Sequence, residues 1–200
     1  MQVDKIVVRA LLSTLAAILV LCGFMTLMLC FVFPSSMMHI TYDLGMDQSS
    51  VNNARRAYNR TDEIYYIAFA TEVAIGSDNY AEIEKCGDRF IADEEFAVYC
   101  NAKDKEGKGE MSYAQYVYSQ VCIAKYNLGK KTQAVDKAFA LVGESFPENN
   151  AVVAVLVTAL RKGDTDTAQK VATKMTERRQ SIPEADKTYF EEILGLVQNG

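Results

Sequence analysis

An all-α protein carried on one N-terminal membrane-spanning helix is what three features of this 200-residue sequence predict. The first is an uncharged apolar block of 24 residues from Ala10 to Phe33. The second is the recurrence of apolar residues at three- and four-residue spacing from Thr61 onward, with no sustained alternation of the kind strands require. The third is a pair of glycines, Gly129 and Gly163, which stand 34 residues apart where one helix should end and the next begin.

The apolar block comes first in the chain. At 1.5 Å per residue it would span about 36 Å as a helix, enough for a hydrocarbon core of roughly 30 Å with some tilt. Its hydroxyls are Ser13, Thr14 and Thr26, and Pro34 supplies a stop. The block is longer than a signal-peptide core, and Val32-Phe33-Pro34-Ser35 is a poor cleavage sequence, so an uncleaved anchor is expected. Lys5 and Arg9 precede it, whereas no Lys or Arg occurs between Pro34 and Ala54. That bias predicts a cytoplasmic N-terminus and an extracytoplasmic C-terminal domain. Residues 1–34 are therefore read as cytoplasmic tip and membrane helix.

Residues 35–61 read as a juxtamembrane connector with one short helix, capped by Ser50 and running to about Asn59. Residues 62–200 read as a helical domain. Gly76-Ser77-Asp78 separates a helix starting near Asp62 from one starting near Asn79, and Lys103 to Met111 forms a charged loop. Ser112 with Gln115, and Ser181 with Glu184, have the spacing of capping boxes. Pro147 and Pro183 fall between helices.

Removing Lys5 and Arg9 from the 21 basic residues, and Asp4 from the 26 acidic ones, leaves the rest of the chain at −6. The two signs are interspersed, which argues against a nucleic-acid surface. Cys22 and Cys30 lie in the membrane block. Cys86, Cys100 and Cys122 lie outside it, and their odd number excludes complete intramolecular pairing. One disulfide with a free thiol and three buried thiols both remain open at this point. No CxxC occurs, so redox and zinc chemistry lack their usual carrier.

The glycine spacing extends into a register. Ala134, Ala138 and Leu141 follow Gly129 at the offsets at which Ala168, Ala172 and Met175 follow Gly163. Small residues at the first two offsets let helices approach closely. A 34-residue helix–turn–helix period is the signature of stacked hairpin repeats. With Tyr118, Val121 and Cys122 on the preceding helix and Pro147 as terminator, the pattern resembles the tetratricopeptide repeat family. Residues 112–183 carry the resemblance, and 62–92 carry it poorly. Leu156 occupies a position where a small residue belongs, and both prolines fall late. In the earlier unit Gly76 and Ala81 keep the offset, but Lys85 replaces a packing residue.

No catalytic set is expected. His39 is the only histidine, at the membrane boundary, and cannot alone build a metal site or a triad. Asp93-Glu94-Glu95 read as a solvated helical face, since adjacent positions point around the axis. A calcium loop over Asp104 to Gly109 fails, because with Gly109 at the turn Lys108 falls on a ligand position and Gln115 replaces the bidentate acid. Phosphate-binding and nucleophile-elbow motifs are missing. Asn59-Arg60-Thr61 is a glycosylation sequon of low specificity, with Thr61 also placed to cap the next helix.

What the repeat resemblance implies is a concave face lined by Tyr116, Gln120, Ile123, Tyr126 and Asn127. Amphipathic aromatics beside amides suit peptide or helix partners. The competing reading packs Tyr116 and Tyr126 between hairpins. A basic clamp is not implied, because Ser119, Ile123, Val153 and Val157 occupy its positions. The expectation is a non-enzymatic, cofactor-free, metal-free scaffold or adaptor that binds a protein or peptide near the membrane. In layout it looks like ancillary translocon subunits, which join one span to a tetratricopeptide domain. The alternative is a structural subunit of a larger membrane complex, for which Gly23 allows one close helix approach without a GxxxG motif.

Overall fold

In the computed structural model, which describes residues 2–107 and 111–198, the chain forms eleven helices and no strand among the described residues. The side chains of Lys5 and Cys30, and the loop residues Lys108 and Gly109, lie outside the described set. Helix α1 (Gln2–Val32) contains a stretch, Val7–Leu29, long and apolar enough to cross a membrane, and nothing in the described chain covers it.

Helix α2 (Pro34–Asp43) follows after a single break at Phe33. Pro34 sits at its first position, where its missing N–H is not needed. Helical hydrogen bonds continue across the break, from Phe33 N to Leu29 O at 2.8 Å and from Met37 N to Phe33 O at 3.1 Å. Helix α3 (Asp47–Thr61) then folds back on α2. Arg60, near its end, donates to the carbonyls of Val32 (3.1 Å) and Phe31 (2.5 Å), and its guanidinium lies 5.5 Å from the Phe31 ring. A cation on the last carbonyls of a helix opposes its dipole, so Arg60 ties the domain to the end of α1.

This corrects the connector expected over 35–61. The segment is a complete hairpin. Its polar composition hides inward positions at helical spacing, with Met37, Met38 and Thr41 buried in α2 and Val51, Ala54 and Tyr58 in α3. Ser50 caps nothing. It lies inside α3, fully buried, and donates to Met38 O at 2.7 Å across the hairpin.

Three more hairpins follow: α4 (Ile64–Gly76) with α5 (Tyr80–Ile91), α7 (Tyr113–Asn127) with α8 (Lys131–Val142), and α9 (Ala151–Arg161) with α10 (Thr165–Arg178). One turn geometry closes the first helix of all four. Gly45, Asp78, Gly129 and Gly163 have φ of 68, 51, 78 and 66°. Each donates three residues back, and the next residue donates five back, as in Asn79 to Ala74 (3.0 Å), Lys130 to Lys125 (3.0 Å) and Asp164 to Ala159 (2.9 Å). This is the Schellman arrangement.

The earlier unit is therefore aligned on Asp78, not Gly76. Shifting by two residues replaces Lys85 with Gly87 at the close-packing position and places buried Ile83 and Phe90 on either side of it. Aspartate tolerates the left-handed region because its short side chain can bond locally, which is why no glycine marks this turn.

Helix α6 (Phe96–Glu106) is inserted between the second and third hairpins and packs on α7. It runs four residues into the expected loop, to Glu106. Asp93-Glu94-Glu95 form the turn before it rather than a helical face, and Asp93 accepts from the Tyr58 hydroxyl at 2.7 Å and from Glu95 N at 2.9 Å. Helix α11 (Lys187–Gln198) closes the array on α10, with buried Phe190 edge-on to Phe146 at 5.0 Å. Asp186 just ahead of it accepts from Phe146 N at 2.7 Å.

Of the expected capping boxes, Ser112 accepts from Gln115 N at 3.3 Å, but the Gln115 carbonyl oxygen returns no bond. Ser181 instead donates to Arg178 O at 2.8 Å, finishing α10 rather than starting α11. Asn79, Asn150 and Asp164 cap α5, α9 and α10.

The buried side chains form two cores that share α7. Val117, Val121 and Ala124 face the N-terminal core, while Cys122 and Tyr126 face the C-terminal one. Ion pairs tie the hairpins at the edges. Lys125 bonds Glu84 (2.9 Å) and Asp88 (2.6 Å), and Lys130 reaches Glu84 at 2.6 Å. Burial alone would raise the Glu84 carboxyl, but hydrogen bonds from Lys130 and Lys125 outweigh it and hold the group below its ordinary value. At Asp164 the bond from Lys131 dominates over burial, aided by Thr167 and Tyr126, and that carboxyl also lies well below its usual range.

A carboxylate depressed in the folded state stabilises the fold above the ordinary carboxylate pKa of about 4 and loses that contribution as pH falls through the folded value. The melting temperature is accordingly expected to be level above about pH 5 and to fall in acid. Asp164→Asn should melt lower at neutral pH and show a shallower acid fall. Parallel pH profiles for the two proteins would remove Asp164 from the explanation.

Candidate aromatic docking face

Helical periodicity sorts α7 into two faces. Tyr116, Gln120, Ile123 and Asn127 recur at intervals of four, three and four, which is one stripe of a helix. All four are partly or fully exposed. Tyr116 is 36 % exposed and lines a cleft of about 790 Å³ with Tyr113, Lys103 and Asn149. Asn127 accepts a hydrogen bond from Lys162 of the next hairpin.

Tyr126 does not belong to this face. It is 4 % exposed, and its hydroxyl donates to Asp164 at 2.8 Å. Lys131 and Lys162 lie 5.6 and 5.5 Å from its ring centre. One residue before Asn127, it has rotated about 100° around the axis into the contact between hairpins. Tyr126 is a packing residue, as the competing expectation had it.

The shared turn geometry identifies equivalent positions on the other first helices. Six residues before each turn residue stand His39, Glu72, Ile123 and Val157. The α4 counterparts of Tyr116, Gln120 and Ile123 are thus Tyr65, Phe69 and Glu72. These join α2 in one aromatic group. Phe69 is edge-on to His39 at 5.1 Å and to Tyr42 at 5.7 Å, and the Tyr65 hydroxyl is 3.3 Å from His39 Nε2. Tyr42 and Tyr65 are 50 % and 43 % exposed. His39 is therefore an exposed member of a ring cluster rather than an isolated solvated imidazole.

Glu72 connects this group to a second one on α6 and α7. Its Oε1 accepts from the Tyr113 hydroxyl at 2.5 Å, and Tyr113 neighbours Tyr99 at 6.3 Å and Tyr116 at 6.4 Å. Burial first, then the Glu72 charge, pushes Tyr99 up to about 12. Burial and the Glu72 hydrogen bond raise Tyr113 further, and burial and the Glu72 charge raise Tyr116. These phenols stay neutral and serve as hydroxyl donors with apolar bodies.

The sequence alone does not single out Tyr42, Tyr65, Phe69 and Glu72. On α4, Tyr65, Phe69 and Glu72 repeat the spacing of the α7 stripe 51 residues earlier, but the inserted α6 breaks the 34-residue period that would have exposed it. Cys86, Cys100 and Cys122 are free and buried, each thiol pushed up to about 12 chiefly by burial. Among the described residues no group of three or more His, Cys, Asp or Glu is placed to hold a metal. Compared with protein-family models, curated proteins and solved structures, the chain finds no match in any of the three.

Proposed function

We propose that this chain is a membrane-anchored, tetratricopeptide-like adaptor that holds a protein or peptide partner on the first-helix face of its hairpins. The observation that carries the reading is the half-exposed aromatic stripe of His39, Tyr42, Tyr65, Phe69 and Tyr116, continuous through Glu72 and Tyr113. Large rings with polar tips supply contact area at low entropic cost. Recurrence of the Schellman turn at intervals of 33, 51 and 34 residues supports a repeat array with one insertion. The role is binding rather than catalysis, and the domain faces away from the cytoplasm, for which the Lys5 and Arg9 flank remains the support.

A photo-crosslinking residue at Gln120, in the full chain in cells, is expected to trap a partner, and Tyr116→Ala should reduce the yield without lowering the melting temperature. Interface aromatics commonly cost about 2 kcal/mol on truncation, near thirtyfold in affinity. In the same cells Glu148→Cys should react with an impermeant maleimide before lysis. Crosslinks to spans through α1 alone would favour the structural-subunit reading, since the exposed Val7–Leu29 surface is free for such packing. Reaction of the introduced cysteine only after lysis would reverse the orientation.

A further inference from the structure

Where α2 ends, α3 begins and α4 passes, a recess of about 330 Å³ is lined by Tyr42, Asp47, Phe69, Glu72, Val73 and Gly76. Its chemistry is one-sided: two carboxylates and two rings, with no cationic side chain among the residues that line it. Neither Asp47 nor Glu72 takes part in a salt bridge among the described residues. Among the described residues Glu72 accepts one hydrogen bond, from the neutral Tyr113 hydroxyl to Oε1. The rings of Tyr42 and Phe69, both of which line it, meet edge to face at 5.7 Å.

We infer that this recess receives the guanidinium of an arginine on the partner polypeptide, with Asp47 and Glu72 as counter-ions and Tyr42 and Phe69 as its aromatic wall. The inference rests on the docking face proposed above and names what that face recognises. Guanidinium is planar, weakly hydrated and suited both to ring faces and to carboxylates. Charge-assisted bonds to two acids would supply the specificity that rings alone lack.

A lipid headgroup carries a cation too, but as an ammonium, which lacks the planar fork of donors that a guanidinium offers to carboxylates. Other features of the array serve the fold. Lys125 is neutralised by Glu84 and Asp88, and the three buried thiols are shielded.

The test uses the full chain in nanodiscs free of choline lipids, labelled with fluorotyrosine, with the Tyr42 resonance assigned through Tyr42→Phe. Titration with N-acetyl-arginine amide should shift that resonance saturably. Glu72→Gln should weaken the response about tenfold, the change expected for loss of roughly 1.4 kcal/mol. Glutamine keeps an oxygen for the Tyr113 hydroxyl, so its melting temperature should hold. If it does not, Asp47→Asn at the half-buried first position of α3 provides the same reading. Absence of a saturable shift, or a shift indifferent to both substitutions, overturns the inference. An equal or stronger response to phosphocholine overturns it in favour of a headgroup. Failure with the arginine probe while Gln120 crosslinks persist removes only the recess, whereas loss of those crosslinks removes the docking face as well.

Discussion

Phe90→Ala is expected to destabilise the N-terminal half of the array by about 3–5 kcal/mol, the range for emptying a buried phenylalanine site. Phe90 is fully buried, and its ring is edge-on to Phe96 at 4.9 Å, Tyr99 at 5.5 Å and Tyr113 at 6.4 Å. It is thus the point where α5 holds both the inserted α6 and the start of α7. For a domain of this size the loss corresponds to a melting shift of roughly 6 to 20 °C. Phe90→Leu keeps most of the volume and should cost less than about 1.5 kcal/mol. In an array where each hairpin contacts its neighbours, damage is local first. Amides of α5, α6 and α7 should lose hydrogen-exchange protection before those of α10 and α11. Equal losses for the two variants, or uniform loss of protection along the chain, would mean that Phe90 does not organise this junction.

That junction also explains which parts of the fold were legible in the sequence. Gly129 and Gly163 announce themselves because glycine is the default residue for a left-handed helix stop, and the alanines after them fix the register. Asp78 performs the same role without a glycine, so attention falls on Gly76, two residues early, and the register fails at Lys85. Helices α2 and α3 are obscured differently. Their buried sides use Met38, Ser50 and Asn53 beside Val51 and Ala54, so burial there does not follow hydrophobicity. A serine inside a helix that bonds a carbonyl on its neighbour has the same composition as a cap. Only the tertiary contact distinguishes them.

The candidate face shows the same division. The α7 stripe follows from periodicity, which puts Tyr116, Gln120, Ile123 and Asn127 on one side of the helix. Tyr126 is the exception because adjacent helical residues differ by about 100°, and one of two neighbours must turn inward when both sides of the helix are occupied. The link from Glu72 to Tyr113 spans 41 residues and depends on the placement of α6, which no local pattern encodes. Aromatic residues on α4 look like core by composition. Their exposure at Tyr65 becomes visible only when α4 is aligned with α7 through the turn residues.

Gly87→Ala should destabilise the domain even though alanine is the better helix former by about 1 kcal/mol. Gly87 lies within α5, and a Cβ there would stand 2.3 Å from Cγ2 of Val121 on α7, with Thr71 Cγ2 on α4 at 3.7 Å. Val121 is fully buried, and a β-branched side chain in a helix has one strongly preferred rotamer, so it cannot swing aside. Relief must come from separating α5 and α7, at an overpacking cost of about 1–3 kcal/mol. Val121→Ala alone leaves a cavity and should cost about 2 kcal/mol. Combined, the added methyl occupies part of the space the valine vacates, and the double variant should be more stable than the sum of single losses by about 0.5–3 kcal/mol. The same separation would move Tyr113 away from Glu72, so Gly87→Ala should also lower the Gln120 crosslinking yield, and Val121→Ala should restore it. Additive melting losses would show that Gly87 and Val121 do not compete for one space. Compensation in stability without recovery of the crosslink would instead separate the α5–α7 contact from the docking face.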